Sequence, residues 1–244
     1  MTGTNHALIF KEIYEGFSAP LSDIDCGEKC GPHNDYGVPV CCDIQVVIPS
    51  AFDLEWEYLQ PRTDLWRLWD GESAAVRQEL NQEIQSGQVL IHCLGHHHCQ
   101  RSFRSLTCRA FPFFPYLDKT GNFLGMAYYR EYRDLCWIIS NLSVVSERYK
   151  TQFKWVFEKL FNLFPDTREN YFNYSQYLRD LAVNTDEMIP ILDFAGNVLE
   201  INPVADNIQE VSYRELESYG PFGIMKELFF PDEAQALSMD ENEL

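Results

Sequence analysis

Seven of the eight cysteines fall in two tight groups, Cys26, Cys30, Cys41 and Cys42, then Cys93, Cys99 and Cys108, with Cys136 standing apart. Thiolates gathered by a few short loops are what a soft metal ion or an iron–sulfur cluster requires. The Cys-x3-Cys and Cys-x5-Cys spacings suit either centre and differ from the two-residue spacing of zinc ribbons. Cys41 and Cys42 are adjacent, and in extended backbone neighbouring side chains point to opposite sides. The pair therefore reaches one ion only where the chain bends sharply. It more readily serves two neighbouring metal atoms, or one ligand role and one packing role. Eight thiols fill two four-ligand sites, or one cluster with reactive thiols to spare. Three consecutive histidines cannot all face one metal, so at most one or two of His92, His96, His97 and His98 would ligate, and His33 is a further candidate in the first loop.

The cations are not evenly spread. Arg101, Arg104, Arg109, Lys119, Arg130 and Arg133 crowd the second cysteine group, where positive charge lowers the cost of assembling thiolates. The plainer alternative is a locally basic surface. Overall the 244-residue chain carries a formal charge of −18, which argues against nucleic acid or an anionic membrane as partner. No apolar run approaches the ~20 residues of a membrane span. Met1 to Phe17 holds Lys11, Glu12 and Glu15 where a signal sequence would have an apolar core. The expected compartment is the cytoplasm, where disulfides are disfavoured and cysteines serve as ligands or reactive thiols. Export would instead make four disulfides the simplest reading. No phosphate loop, dinucleotide fingerprint or Ser–His–Asp spacing is present.

The elements that must position these residues read as follows. Residues 7–25 form an irregular entry around the apolar piece Ala7 to Phe10. Residues 26–49 are loop, punctuated by Gly27, Gly31, Pro32, Gly37 and Pro39, with a short strand at Val46 to Ile48. Helices are expected over 52–59 and 72–85, and a strand over 88–92 delivers Cys93. Asp118 to Asn122 is a turn joining strands 113–117 and 123–129. An apolar stripe of Phe153, Val156, Phe157, Leu160, Leu163 and Phe164 predicts a helix over 146–164, followed by a tyrosine-rich helix over 167–183. Strands at 188–193 and 198–201 flank a hairpin turn. The acidic end, residues 231–244, reads as a solvated or disordered tail.

At the cysteines the chain resembles the YkgJ-type cysteine-cluster family. Its members carry an early cysteine block ending in a Cys-Cys pair and a later block ending in Cys-Arg-x-Phe-Pro. Here the pair is Cys41-Cys42 and the signature is Cys108-Arg109-Ala110-Phe111-Pro112. Cys93 and Cys99 match the intermediate cysteines, and Cys136 resembles a late one, with Trp137 where the family usually has proline. The gap from Cys30 to Cys41 is longer than the family's compact first block. The resemblance covers roughly residues 26–137 and implies a zinc- or iron-chelating domain. In the signature, Arg109 is suited to donate hydrogen bonds to sulfur, and Phe111, with Phe113 and Phe114, to shield a centre from water.

The expected fold is α+β: irregular cysteine-rich loops around a metal or iron–sulfur centre, with short strands and packed helices. The expected division is a cysteine-cluster part over 1–145, a helical and hairpin part over 146–230 packed on it, and the tail. The expected function is metal binding in a structural or redox role, with Cys26, Cys30, Cys41, Cys42, Cys93, Cys99, Cys108 and Cys136 as candidate ligands. An iron–sulfur cluster, [4Fe–4S] among its forms, is favoured over zinc by the cysteine count and the adjacent pair. Two alternatives remain. One is an enzyme using the centre, similar to protein lysine N-methylases; the other is a zinc-stabilised module meeting a protein partner through the aromatic C-terminal helices.

Overall fold

The computed structural model describes residues 3–224, apart from positions 72, 74, 77, 79, 81–83, 85 and 86. The expected acidic tail and most of the expected helix over 72–85 therefore lie outside the described residues. Within them the protein is α+β, with six α-helices and two antiparallel sheets.

The entry segment is not irregular. It forms α1 (Gly3–Gly16), because Phe10, Ile13, Tyr14 and Phe17 recur at helical spacing and all four are buried. The short helix α2 (Cys26–Cys30) follows, capped by the Asp25 carboxylate, which accepts from the Gly27 amide. The chain then runs through 3₁₀ turns at Gly31–His33, Asp35–Gly37 and Val40–Cys42. The strand expected at Val46 to Ile48 is absent. Asp43 claims that stretch for a turn, its carbonyl accepting from the Val46 and Val47 amides and its carboxylate from the Gln45 amide.

Strand β1 (Ser50–Phe52) leads into α3 (Asp53–Leu59), then β2 (Trp66–Leu68) and β3 (Gln88–Cys93), which form a three-stranded sheet in the order β1-β3-β2. The second cysteine loop continues into α4 (Leu106–Ala110). A five-stranded meander comes next in the order β4-β5-β6-β7-β8: β4 (Phe113–Leu117), β5 (Phe123–Tyr128), β6 (Ile189–Leu192), β7 (Val198–Asn202) and β8 (Asn207–Val211). Two helices, α5 (Glu147–Leu163) and α6 (Pro165–Thr185), interrupt it after β5. Gly125 on β5 faces the Leu192 carbonyl so closely that any side chain there would collide with backbone, which lets β5 pair with β6.

Two turns in this sheet are built alike. In Asp118-Lys119-Thr120-Gly121-Asn122 and in Asp193-Phe194-Ala195-Gly196-Asn197 the aspartate carboxylate accepts from the amides two and four residues on.

The main core spans both expected parts. Phe10 and Ile13 of α1, with Phe17 just beyond it, meet Tyr149, Phe153, Val156, Phe157 and Leu160 of α5. Phe52 stacks on Phe164 at 5.0 Å. A second cluster, with Phe114, Tyr116, Leu178, Ile189 and Ile191, fills the space between the meander and α6. The aromatic surface of the C-terminal helices is thus largely spent inside the molecule. Tyr171 packs on Phe157 and Tyr174 on Phe114.

Candidate metal centre

Several short segments present the thiols. Helix α2 places Cys26 and Cys30 one turn apart on one face, with Cys30 buried. The 3₁₀ turn at Val40–Cys42 supplies the sharp bend that the adjacent pair needs, and the Cys41 and Cys42 sulfurs lie 3.9 Å apart. Strand β3 carries Cys93, whose sulfur accepts from the Gly95 amide at 3.4 Å. Gly95 has a φ of 92°, open to glycine without strain. Downstream, the Ser105 hydroxyl caps α4 by accepting from the Cys108 amide. Cys136 is buried after a turn in which its amide donates to the Tyr132 carbonyl at 2.9 Å.

All eight cysteines are free thiols. Their mutual electrostatics show which ones are neighbours. Cys26 feels Cys30, and Cys136 feels both. Cys41 feels Cys42, Cys26 and Cys136. Cys93 feels Cys42 and Cys99, and Cys108 feels Cys93 and Cys42. Cys30 also feels Cys42 across the adjacent pair. The two sequence groups therefore converge, and the lone Cys136 joins the first. Among the described residues no group of three or more His, Cys, Asp or Glu is arranged closely enough to hold a metal ion.

Most of these thiols are hard to ionise. Burial pushes Cys26 up to about 11 and Cys108 up to about 12, and it raises Cys30, Cys93 and Cys136 as well. Within the adjacent pair, hydrogen bonding sets the two apart. Cys41 is held protonated, while the hydrogen bond it donates lowers Cys42 against the effect of burial, helped by the nearby Arg104 and Arg101. Arg104 is the cation at the thiols: its Nε donates to the Cys99 sulfur at 3.2 Å. Burial lowers the Arg104 pKa, but that hydrogen bond and the Cys99, Cys41 and Cys42 thiols outweigh it and raise it overall.

Of the cations that crowd this stretch of sequence, few reach the thiols. Arg109 turns to backbone instead, donating to the carbonyls of Arg104, Ser102, Tyr14 and Phe17. It ties the second cysteine loop to α1, while Arg104 occupies the sulfur-facing role the signature suggested for Arg109. Arg130 and Arg133 pair with Glu187, and Lys119 pairs with Asp206. Among the histidines, the His96 and His97 rings lie 3.8 Å apart and tilted, and His33 meets the Phe222 ring edge-on. Phe111 lies against Tyr132 at 5.0 Å, beside the Cys108 helix, while Phe113 and Phe114 are buried in the core.

A cavity of about 830 Å³ opens beside this assembly. Cys26, Cys41, Cys42 and Cys99 line it together with Arg101, Arg104 and His96. Asp25 pairs with Arg101 across its mouth at 3.1 Å.

The loops are anchored from beneath by a residue that sequence reading passed over. Glu55 is fully buried and accepts from the Tyr14 hydroxyl at 2.6 Å, the Leu106 amide at 2.7 Å and the Phe52 amide at 3.3 Å. It joins α1, α3 and the start of α4. Burial pushes its carboxyl up to about 7 against those three hydrogen bonds. The only hint in the sequence was its place three residues after Phe52, at the first turn of α3.

No family model matches the chain, and neither a curated protein nor a solved structure matches it.

Proposed function

We propose that the protein holds a cysteine-ligated metal or iron–sulfur centre in the cytoplasm. The observation that carries this reading is the meeting of two distant cysteine groups at Arg104, whose Nε sits on the Cys99 sulfur and whose charge acts on the Cys41 and Cys42 thiols. An arginine placed there offsets the charge that several thiolates would bring. The donor set fits soft metals: all sulfur, free, and too buried to ionise cheaply without a cation to bind. The likeness of the Cys41-Cys42 pair and the Cys108-Arg109-x-Phe111-Pro112 segment to YkgJ-type proteins supports the same reading. When bound, an iron–sulfur cluster would supply electron transfer, and zinc would supply structural cross-linking.

In this reading Cys42, Cys93, Cys99 and Cys108 are the leading ligands, with Cys41 and Cys30 next, since Cys93 and Cys108 both lie within electrostatic reach of Cys42. The protein's own residues do three things in this scheme. Gly95 donates its amide to Cys93, Arg104 holds Cys99, and Ser105 fixes the helix that presents Cys108.

Metal and acid-labile sulfide analysis of protein purified without oxygen tests the reading. Metal bound through thiolates at about 2.3 Å by X-ray absorption would support it. A metal-free protein whose eight thiols all react with a thiol reagent under native conditions would contradict it.

A further inference from the structure

A second, smaller cavity of about 180 Å³ shares Cys41 with the first. It is larger than the ~150 Å³ apolar cavity known to accommodate benzene. Its lining is mainly aromatic and aliphatic, and no Lys, Arg or His contributes to it. Phe111 and Tyr132 meet at 5.0 Å and 56°, and Tyr132 meets Tyr129 edge-on at 6.3 Å, so ring faces form a corner. Three hydroxyls in the wall already have partners: Ser50 donates to Gln88, Thr107 to the Ser50 carbonyl, and Tyr132 to the Val46 carbonyl at 3.5 Å.

One charged group borders this cavity, the exposed carboxylate of Glu131. Its charge reaches Tyr129, Tyr132 and Tyr174. The arginines on either side, Arg130 and Arg133, are both drawn away to Glu187. No cation among the described residues pairs with Glu131. An apolar pocket with ring faces and one uncompensated carboxylate at its rim discriminates among ligands. Anions are repelled, neutral polar molecules find few open partners, and a cation with an apolar body gains from both the rings and the carboxylate.

We propose that this cavity binds a small organic cation, an alkylammonium whose chain fills the ring-lined pocket while its nitrogen sits between Glu131 and Tyr132. The site does not require that a metal be bound, although two thiols, Cys41 and Cys108, form part of its wall. A ligand seated there lies directly against the cysteine assembly.

Titration of the full-length protein, as purified, with n-butylammonium and with the neutral n-butanol tests this by calorimetry or ligand-observed NMR. The ammonium is expected to bind about tenfold more tightly than the alcohol, the combined effect of ring and carboxylate. Glu131→Gln should weaken the ammonium about threefold and leave the alcohol unchanged. Tyr132→Leu, which keeps an apolar wall but removes the ring face, should do the same. Glu131 is exposed, so its variant should melt at the wild-type temperature, and that melt verifies the fold. Equal binding of the two probes, binding of neither, or an E131Q variant that keeps the full preference would overturn the proposal.

Discussion

The two ends of this molecule are held by different forces. Around α5 and α6 the chain is organised by burial. Phe153 and Val156 are wholly inaccessible to solvent, and ring pairs run from Phe17 through Phe153 and Phe157 to Tyr171. Around the cysteines regular structure shrinks to helices of five residues and 3₁₀ turns of three. Beside the burial of Cys30, Val40, Leu106 and Cys136 in the main core, a handful of directed bonds holds those turns: Asp25 on Gly27, Gly95 on Cys93, Arg104 on Cys99, and Ser105 on Cys108. Apolar contact is non-directional and forms a fold by itself, whereas short turns with few contacts of their own depend on whatever cross-links them. The contrast teaches where a metal would matter. It would stabilise the cysteine end and leave the aromatic end nearly unaffected.

Substitutions can break this comparison at either end. The largest effect is expected at the aromatic end. Phe153→Ala leaves a cavity among α1 and α5 and should cost about 3–5 kcal/mol in denaturant unfolding, without changing the metal bound per folded chain. A loss of metal in that variant while it remains folded would show the two ends to be coupled.

Next comes Glu55, the tie between them. Its carboxyl is pushed up to about 7 from an ordinary 4.5, so the folded state favours the neutral form and binds more protons than the unfolded chain across that range. Its contribution to stability is therefore greatest below about pH 4.5 and falls by about 3 kcal/mol as pH rises to about 7. Glu55→Gln should flatten that segment of the stability–pH curve. An unchanged slope would mean that Glu55 ionises as freely in the fold as in the open chain.

A smaller effect is expected from Arg104→Gln. Removing the cation at Cys99 should weaken metal binding about 10- to 100-fold, as loss of an outer-shell partner does. Arg109→Gln should instead lower stability, since Arg109 bonds only to carbonyls among its hydrogen-bond partners in the structure. The reverse outcome would return the sulfur-facing role to Arg109. The smallest change is Ser146→Ala, which removes the cap of α5 at the Tyr149 amide and should cost about 1 kcal/mol in thermal melts with metal content unaltered.

What the sequence discloses follows the same division. Strong periodicity disclosed α5, and the Asp-x-x-Gly-Asn turn disclosed the β4–β5 hairpin, because both patterns are local. Helix α1 stands where an irregular entry around Ala7 to Phe10 was expected, although Ile13, Tyr14 and Phe17 continue the stripe. Strand β8 escaped because it is an exposed edge with little apolar alternation in Asn207-Ile208-Gln209-Glu210. At the cysteines, spacing disclosed the two groups but not which side chains lie beside them. That Cys136 lies with Cys26 and Cys30, and that Arg104 takes the sulfur, depend on contacts between distant segments that no local pattern encodes.

Hydrogen–deuterium exchange, before and after removal of metal by a chelator, tests the central claim most directly. The amides of residues 26–42 and 93–110 should lose protection on chelation while those of α5 keep theirs. Protection unchanged in both regions, or lost equally in both, would contradict a metal centre that organises the cysteine end.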